Sequence, residues 1–184
     1  MSELVDGVDY GPLRGLIGDW RGDRGMDVAP EPEGDEHNPF YETIRFEAIG
    51  EVTNAESQVI AALRYHQVVV RKSNDKVFHN ESGYWMWDAE RDLVMQNLTI
   101  PRGVALVAGG TAAVDAAAIE VRAALGDADW PIAQAPFMRD NASTVEFRHR
   151  IAVDGDTLTY EEHTIVDIYG KRFDHSDANT LNRC

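Results

Sequence analysis

The sequence has 1 cysteine in 184 residues, Cys184. An intrachain disulfide cannot form, and no Cys-x-x-Cys redox or zinc motif is available. Basic residues are scarce as well: 17 Lys and Arg stand against 32 Asp and Glu, for a formal net charge of -15. Such a field repels nucleic-acid phosphates and anionic lipid surfaces, so neither is an expected partner. Long apolar runs are also missing. No stretch approaches the roughly 18 apolar residues of a membrane helix, and "MSELVDGVDYGPL" lacks the apolar segment of a secretory leader. A reducing cytoplasm is the expected location. There is no Gly-rich phosphate loop before a helix, no G-x-S-x-G, and no D-x-D-x-D-G calcium pattern. Hydrolase and kinase chemistry therefore find no support.

What is present is alternation. "YETIRFEAIG" sets Ile44, Phe46 and Ala48 against Thr43, Arg45 and Glu47. "STVEFRHRIAV" sets Val145, Phe147, His149, Ile151 and Val153 against Thr144, Glu146, Arg148 and Arg150. A period of two is the mark of a half-buried strand. "SQVIAALRYHQVVVRK", "KVFHNESGYWMWD", "DLVMQNLTI", "GVALVAGG" and "TLTYEEHTIVDIYG" read the same way. "AAAIEVRAALG" is alanine-rich, but Ile119, Val121 and Ala123 alternate with Glu120, Arg122 and Ala124, which favours strand. Turn signals separate these runs: Ala89-Glu90-Arg91, Asp154-Gly155-Asp156 and Gly170-Lys171.

Near the start, Leu13, Leu16 and Ile17 fall at helical spacing, which predicts a short helical turn over Gly11 to Ile17. Gly18-Asp19-Trp20 then begins the first strand. Two segments look irregular. Residues 24–39 are rich in Pro, Gly and acid and read as an exposed loop, and "DADWPIAQAPFMRDN" is a second break. Many strands in series with short turns and little helix predict one all-β domain over 1–184. An antiparallel up-and-down barrel removes the sheet edges; a two-sheet sandwich is the alternative.

Several polar residues could carry chemistry. His79 and Glu81 share one face of a strand. They are either a solvent-facing pair or the lining of a cavity, where imidazole could bind iron or zinc and the carboxylate could orient it. His149 lies among apolar residues and reads as a packed core histidine. His66 is ambiguous, His163 reads as surface, and His37 falls in the acidic segment. Asp174, His175, Asp177 and Asn179 crowd "KRFDHSDANTL", although Asp and Asn are disfavoured in strands. Either they pair with backbone at a barrel rim, or His175 is a metal ligand steadied by neighbouring acids.

Four stretches in order carry a resemblance. "GPLRGLIGDWRG" resembles the G-x-W opening of the lipocalin and fatty-acid-binding-protein-like superfamily, the calycins. "FHNESGYW", "VMQNLTIPRGVALVAGG" and "DHSDANTLNR" resemble successive strands of the nitrobindin-like haem-binding β-barrels. The resemblance implies a barrel of about ten antiparallel strands with ferric haem b partly exposed at its mouth. It implies His175 as the proximal iron ligand, His79 as the distal histidine, Gln96 as a distal-wall residue and Trp20 as the plug of one barrel end. It also implies chemistry on nitric oxide and isomerisation of peroxynitrite to nitrate. Two features depart from the pattern: the long segment before Pro39, and the polar Asp174-His175-Ser176 in place of an apolar proximal motif. These suggest a divergent branch.

The first expectation is thus a haem barrel that handles reactive nitrogen species. The second is a carrier or sensor of a small hydrophobic ligand, with His175 tied up by Asp174 or Asp177. The third is a metal-dependent enzyme built on His79 and Glu81, which needs further ligands to converge. Whether the chain forms a homodimer is open at this stage.

Overall fold

The computed structural model describes residues 4–184. A 3-10 turn over Gly11–Leu16 leads into β1 (Gly18–Glu31), β2 (Gly34–Ala55), β3 (Gln58–Arg71), β4 (Lys76–Asp88), β5 (Leu93–Ile100), β6 (Val104–Thr111) and β7 (Ala118–Ala124). A three-residue β8 (Ile132–Gln134) and one turn of helix α1 (Pro136–Asn141) fill the second irregular segment. Then come β9 (Ala142–Asp154), β10 (Thr157–Ile168) and β11 (Lys171–Arg183).

The ten longer strands follow each other in the order β5-β4-β3-β2-β1-β11-β10-β9-β7-β6, and β6 pairs back onto β5. The result is a closed antiparallel barrel with a short turn at its start, as the alternation predicts. β8 adds to β6 beside the ring. Closure leaves no long free edge, which is how an all-β chain of this length avoids pairing with its neighbours. No helix among the described residues is long and apolar enough to cross a membrane.

The expectation of a loop at 24–39 needs correction. These residues are the arms of the β1–β2 hairpin, paired from Gly25↔Phe40 out to Glu31↔Gly34. Composition misleads here because Pro30 lies beyond Val28↔Ser176, the last rung of β1 with β11. A missing N–H is cheap where a strand has lost one neighbour. The tip around Glu31 to Asp35 is exposed, and along the arms exposed Arg24, Met26, His37 and Pro39 alternate with inward positions; Asp27 and Asn38 are buried at 2% and 4% exposure. A register shift between Gly22 and Gly25 lets the arm bend over the barrel. Gly25 is required there, since a Cβ would fall 2.0 Å from the Phe40 ring.

One parity expectation also changes. Val145 lies at a register shift between β9 and β10, so Thr144 takes the buried position that alternation assigns to Val145.

The core has layers along the barrel axis. One end is closed by Leu13 and Leu16 of the 3-10 turn, Trp20, Leu158 and Leu181, all at 2% exposure or less. The Trp20 indole N–H donates to the Leu16 carbonyl at 2.7 Å, and the Arg183 guanidinium lies 4.2 Å above its ring. The indole is satisfied and capped, so it can plug the end without an orphaned donor. Trp85, Phe147 and Ile151 lie further along, and beyond them the interior turns polar.

Candidate functional site

Inward positions change character two residues at a time. On β2 the series Phe46, Ile44 continues to Glu42, Phe40 and Asn38; on β4, Trp87 and Trp85 give way past Gly83 to Glu81 and His79. β10 runs Leu158, Tyr160, Glu162, and β11 runs Leu181, Asn179, Asp177, His175. The ladders set several of these residues side by side, Asp27 opposite Asn38 and Asp177, Asp177 opposite Glu162, and Gln67 opposite Glu81, and the polar residues form a belt and then a mouth.

The belt holds two hydrogen-bonded groups. In the first, the Glu42 carboxylate receives Gln67 Nε2 at 2.6 Å, Asn179 Nδ2 at 2.7 Å and the Tyr160 hydroxyl at 3.0 Å. Burial pushes the Glu42 carboxyl up to about 7, against the pull of those three donors. In the second, Tyr65 donates to Glu81 Oε1 at 2.5 Å, Gln96 Nε2 donates to the Tyr65 hydroxyl at 2.9 Å, and His149 Nδ1 lies 3.0 Å from Gln96 Oε1. The carboxylate end accepts only, so the direction of every bond follows. Tyr65 must give its proton to Glu81 and accept from the Gln96 amide. The Gln96 carbonyl then faces His149, which places the histidine proton on Nδ1. Burial pulls the His149 imidazole down to about 4. It is a neutral core histidine, as its apolar neighbours predict, with Trp85, Phe147 and Tyr160 rings edge-on around it.

The mouth gathers Asp27, His79, Glu81, Glu162, His175 and Asp177. His79 and His175 each keep 32% of their side-chain surface exposed, and Asp177 keeps 25%. His79 Nε2 is 3.4 Å from Glu81 Oε2. His175 Nε2 is 2.6 Å from Asp27 Oδ1 and 3.6 Å from Asp177 Oδ2. Burial opposes the charge on both imidazoles, but the carboxylates outweigh it, and both titrate above the ordinary histidine value. Burial raises the Asp177 carboxyl to about 6 in spite of His175. Glu162 sits 3.8 Å from His149 Nδ1, and burial first, then its acidic neighbours, push its carboxyl well up.

Of the residues singled out in the sequence, His79 and His175 reach the mouth, while Gln96 lies fully buried in the belt. Asp177 faces His175, whereas Asp174 points outward and pairs with His163 at 2.9 Å. His66 faces outward too, bonded to Asn80 at 3.0 Å. Asp27, Asn38, Glu42 and Glu162 escaped sequence reasoning. Glu42 and Glu162 could have been found by extending the alternation of Ile44/Phe46 and of Leu158/Tyr160 by one step. Asp27 had no such signal, because the arm that carries it looks like a loop.

A family model described as the THAP4-like, heme-binding beta-barrel domain matches residues 9–183. Among solved structures, the crystal structure of Rv2717c from M. tuberculosis is similar, with a TM-score of 0.68 at 25% sequence identity over 94% of each chain. No curated protein sequence matches. A match over nearly the whole chain is more than a shared shape, and the chain belongs to the THAP4-like, heme-binding beta-barrel domain family.

Proposed function

We propose that this barrel binds a small cationic, hydrogen-bond-donating molecule at its open end, and that it does so without haem bound to His175. The observation that carries the reading is the crowding of carboxyl groups in the mouth and belt, where burial raises Glu42, Asp177 and Glu162 and a bound cation would favour their ionised forms. Asp27, Glu42, Glu81, Glu162 and Asp177 converge there; His175 pairs with Asp27 and Asp177, His79 with Glu81, and Glu42 has only the neutral donors Gln67, Asn179 and Tyr160. A cation entering this space meets acceptors already aimed inward and partly desolvated, where an ionic contact is worth more than in water. Glu42 and Asp177, with carboxyls near 7 and 6, are poised to take or return a proton near neutral pH.

Haem fits these residues poorly. Iron needs the lone pair of a histidine nitrogen, and His175 Nε2 lies 2.6 Å from Asp27 Oδ1, so a haem iron, whose ring already fills its other positions, would have to displace that carboxylate and leave it buried without its partner. A porphyrin is a broad apolar disc with anionic propionates, and such a ligand wants an apolar, neutral or basic wall. The same polarity argues against a hydrophobic carrier.

The second reading is ferric haem b on His175, acting on nitric oxide or peroxynitrite. Membership of a family described as heme-binding favours it. It requires His175 to leave Asp27, with His79 and Gln96 standing on the far side. Titrating hemin into the protein, in parallel with thermal melts in the presence of a short diamine or a guanidinium compound, separates the two. The first reading predicts no Soret change that depends on His175, and a raised Tm with the organic cation. A stoichiometric hemin spectrum lost in His175→Ala would restore the haem reading.

A further inference from the structure

We propose that the mouth is also a non-haem site for one divalent first-row transition-metal ion, with Asp27 Oδ1, His175 Nε2 and Asp177 Oδ2 as ligands. The inference rests on the cation-binding reading and names one class of cation.

The backbone sets the three donors. Asp27 on β1 lies directly opposite Asp177 on β11 in the ladder. His175 is two residues from Asp177, hence on the same face and diagonal to Asp27. Like charges directly opposite on neighbouring strands repel. The His175 imidazole bridges this pair, and a divalent ion held by all three groups would neutralise both carboxylates. The donor atoms all lie within 4.8 Å of one another. Bonds of about 2.1 Å in a tetrahedral site put donors about 3.4 Å apart. The present 2.6 and 3.6 Å separations bracket that value, so a small widening of the Asp27–His175 contact admits the ion in place of the shared proton.

The outer partners are also in place. Asn38 Nδ2 donates to Asp27 Oδ2 at 2.9 Å and to Glu36 Oε2 at 3.0 Å. This fixes the buried carboxylate and leaves Oδ1 for the ion, the arrangement that metal sites use to orient a ligand. Three protein donors leave a fourth position, and His175 and Asp177, with 32% and 25% of their side-chain surface exposed, leave the site accessible from solvent. One imidazole with two carboxylates suits zinc, cobalt or manganese better than magnesium or calcium, which prefer oxygen alone. The open position suits binding of a further small ligand on the ion.

The test is a titration of the chelator-treated full chain with Co(II), read by visible absorption, and with Zn(II), read by calorimetry. The expected result is one equivalent bound. His175→Ala and Asp177→Asn should each weaken binding by about tenfold or more, and the surface variant His163→Ala should not. Circular dichroism and Tm of each variant show that the barrel persists. Absent cobalt absorption, or equal binding by the native chain, H175A and D177N, overturns the metal site. If the diamine still raises Tm in that case, the organic-cation reading stands alone. Tight Co(II) binding with no response to the diamine supports the metal and removes the organic cation.

Discussion

The two ends of this barrel are built on the same strands and obey opposite rules. At the closed end, inward positions are largely apolar; the Trp20 indole N–H is accepted by the Leu16 carbonyl, and the buried Trp87 indole nitrogen is the exception that finds no partner among the described residues. At the open end, inward positions are carboxylates and imidazoles that satisfy one another. The first arrangement stabilises; burial of apolar surface contributes about 25 cal/mol per Å². The second costs stability, because desolvated charges are repaid only by good pairing. A chain that keeps five acids inside one barrel therefore uses that end for something other than folding. Violations of this kind concentrate at functional sites.

The comparison can be broken at its stable end first. Trp20→Ala should cost about 3–5 kcal/mol, as large aromatic truncations in cores do. Urea unfolding measures it, and a Tm unchanged within error would mean that the plug is not Trp20.

Next is the border between the two ends. His149 is neutral when folded and reaches its charged form only near 4. An ordinary histidine in the unfolded chain takes up a proton below about 6.5. As pH falls from 6.5 toward 4, the unfolded state binds a proton that the folded state refuses, so stability falls by about 3 kcal/mol on this account. His149→Phe should lose that part of the acid limb, whatever its stability at pH 7. Parallel acid limbs in the two proteins would show that His149 is not held neutral.

A smaller effect is expected at the mouth. The pairing with Asp27 raises the His175 value. Its stabilisation is complete below the unfolded histidine value and fades as pH rises through the raised folded value. Asp27→Asn should cost about 1–2 kcal/mol at pH 6 and less at pH 9. A cost that does not shrink with pH would assign the loss to Asn38 and not to His175. Least of all should follow from replacing residues 30–35 by a two-residue turn, within about 0.5 kcal/mol, because the exposed tip buries almost nothing. A large loss there would show that the tip closes over the mouth.

Much of the fold was legible because strands advertise themselves by period. Ile119 to Ala124 shows this: alternation outweighed a helix-favouring composition, and β7 is a strand. The site was legible only where a residue type was conspicuous. His79 and His175 stood out, and both are at the mouth. Glu42 did not, since an acid at the end of an apolar series reads as the series stopping. Asp27 and Asn38 were hidden for a physical reason. Proline and glycine mark a loop when strands have two neighbours, yet an overhanging hairpin arm with one neighbour tolerates both. The arm carries the carboxylate that meets His175, so the error about a loop was also an error about the site.

The account holds that the mouth imidazole is tied to carboxylates while the deep imidazole is held neutral by burial, bonded to the Gln96 amide. Following both by NMR through a pH titration of the histidine side chains tests this most directly. His175 should titrate above the ordinary histidine value and move down in Asp27→Asn, while His149 should stay neutral until about pH 4. A His175 that titrates at or below the ordinary value, and does not respond to Asp27→Asn, would contradict the account and leave its nitrogen free for iron.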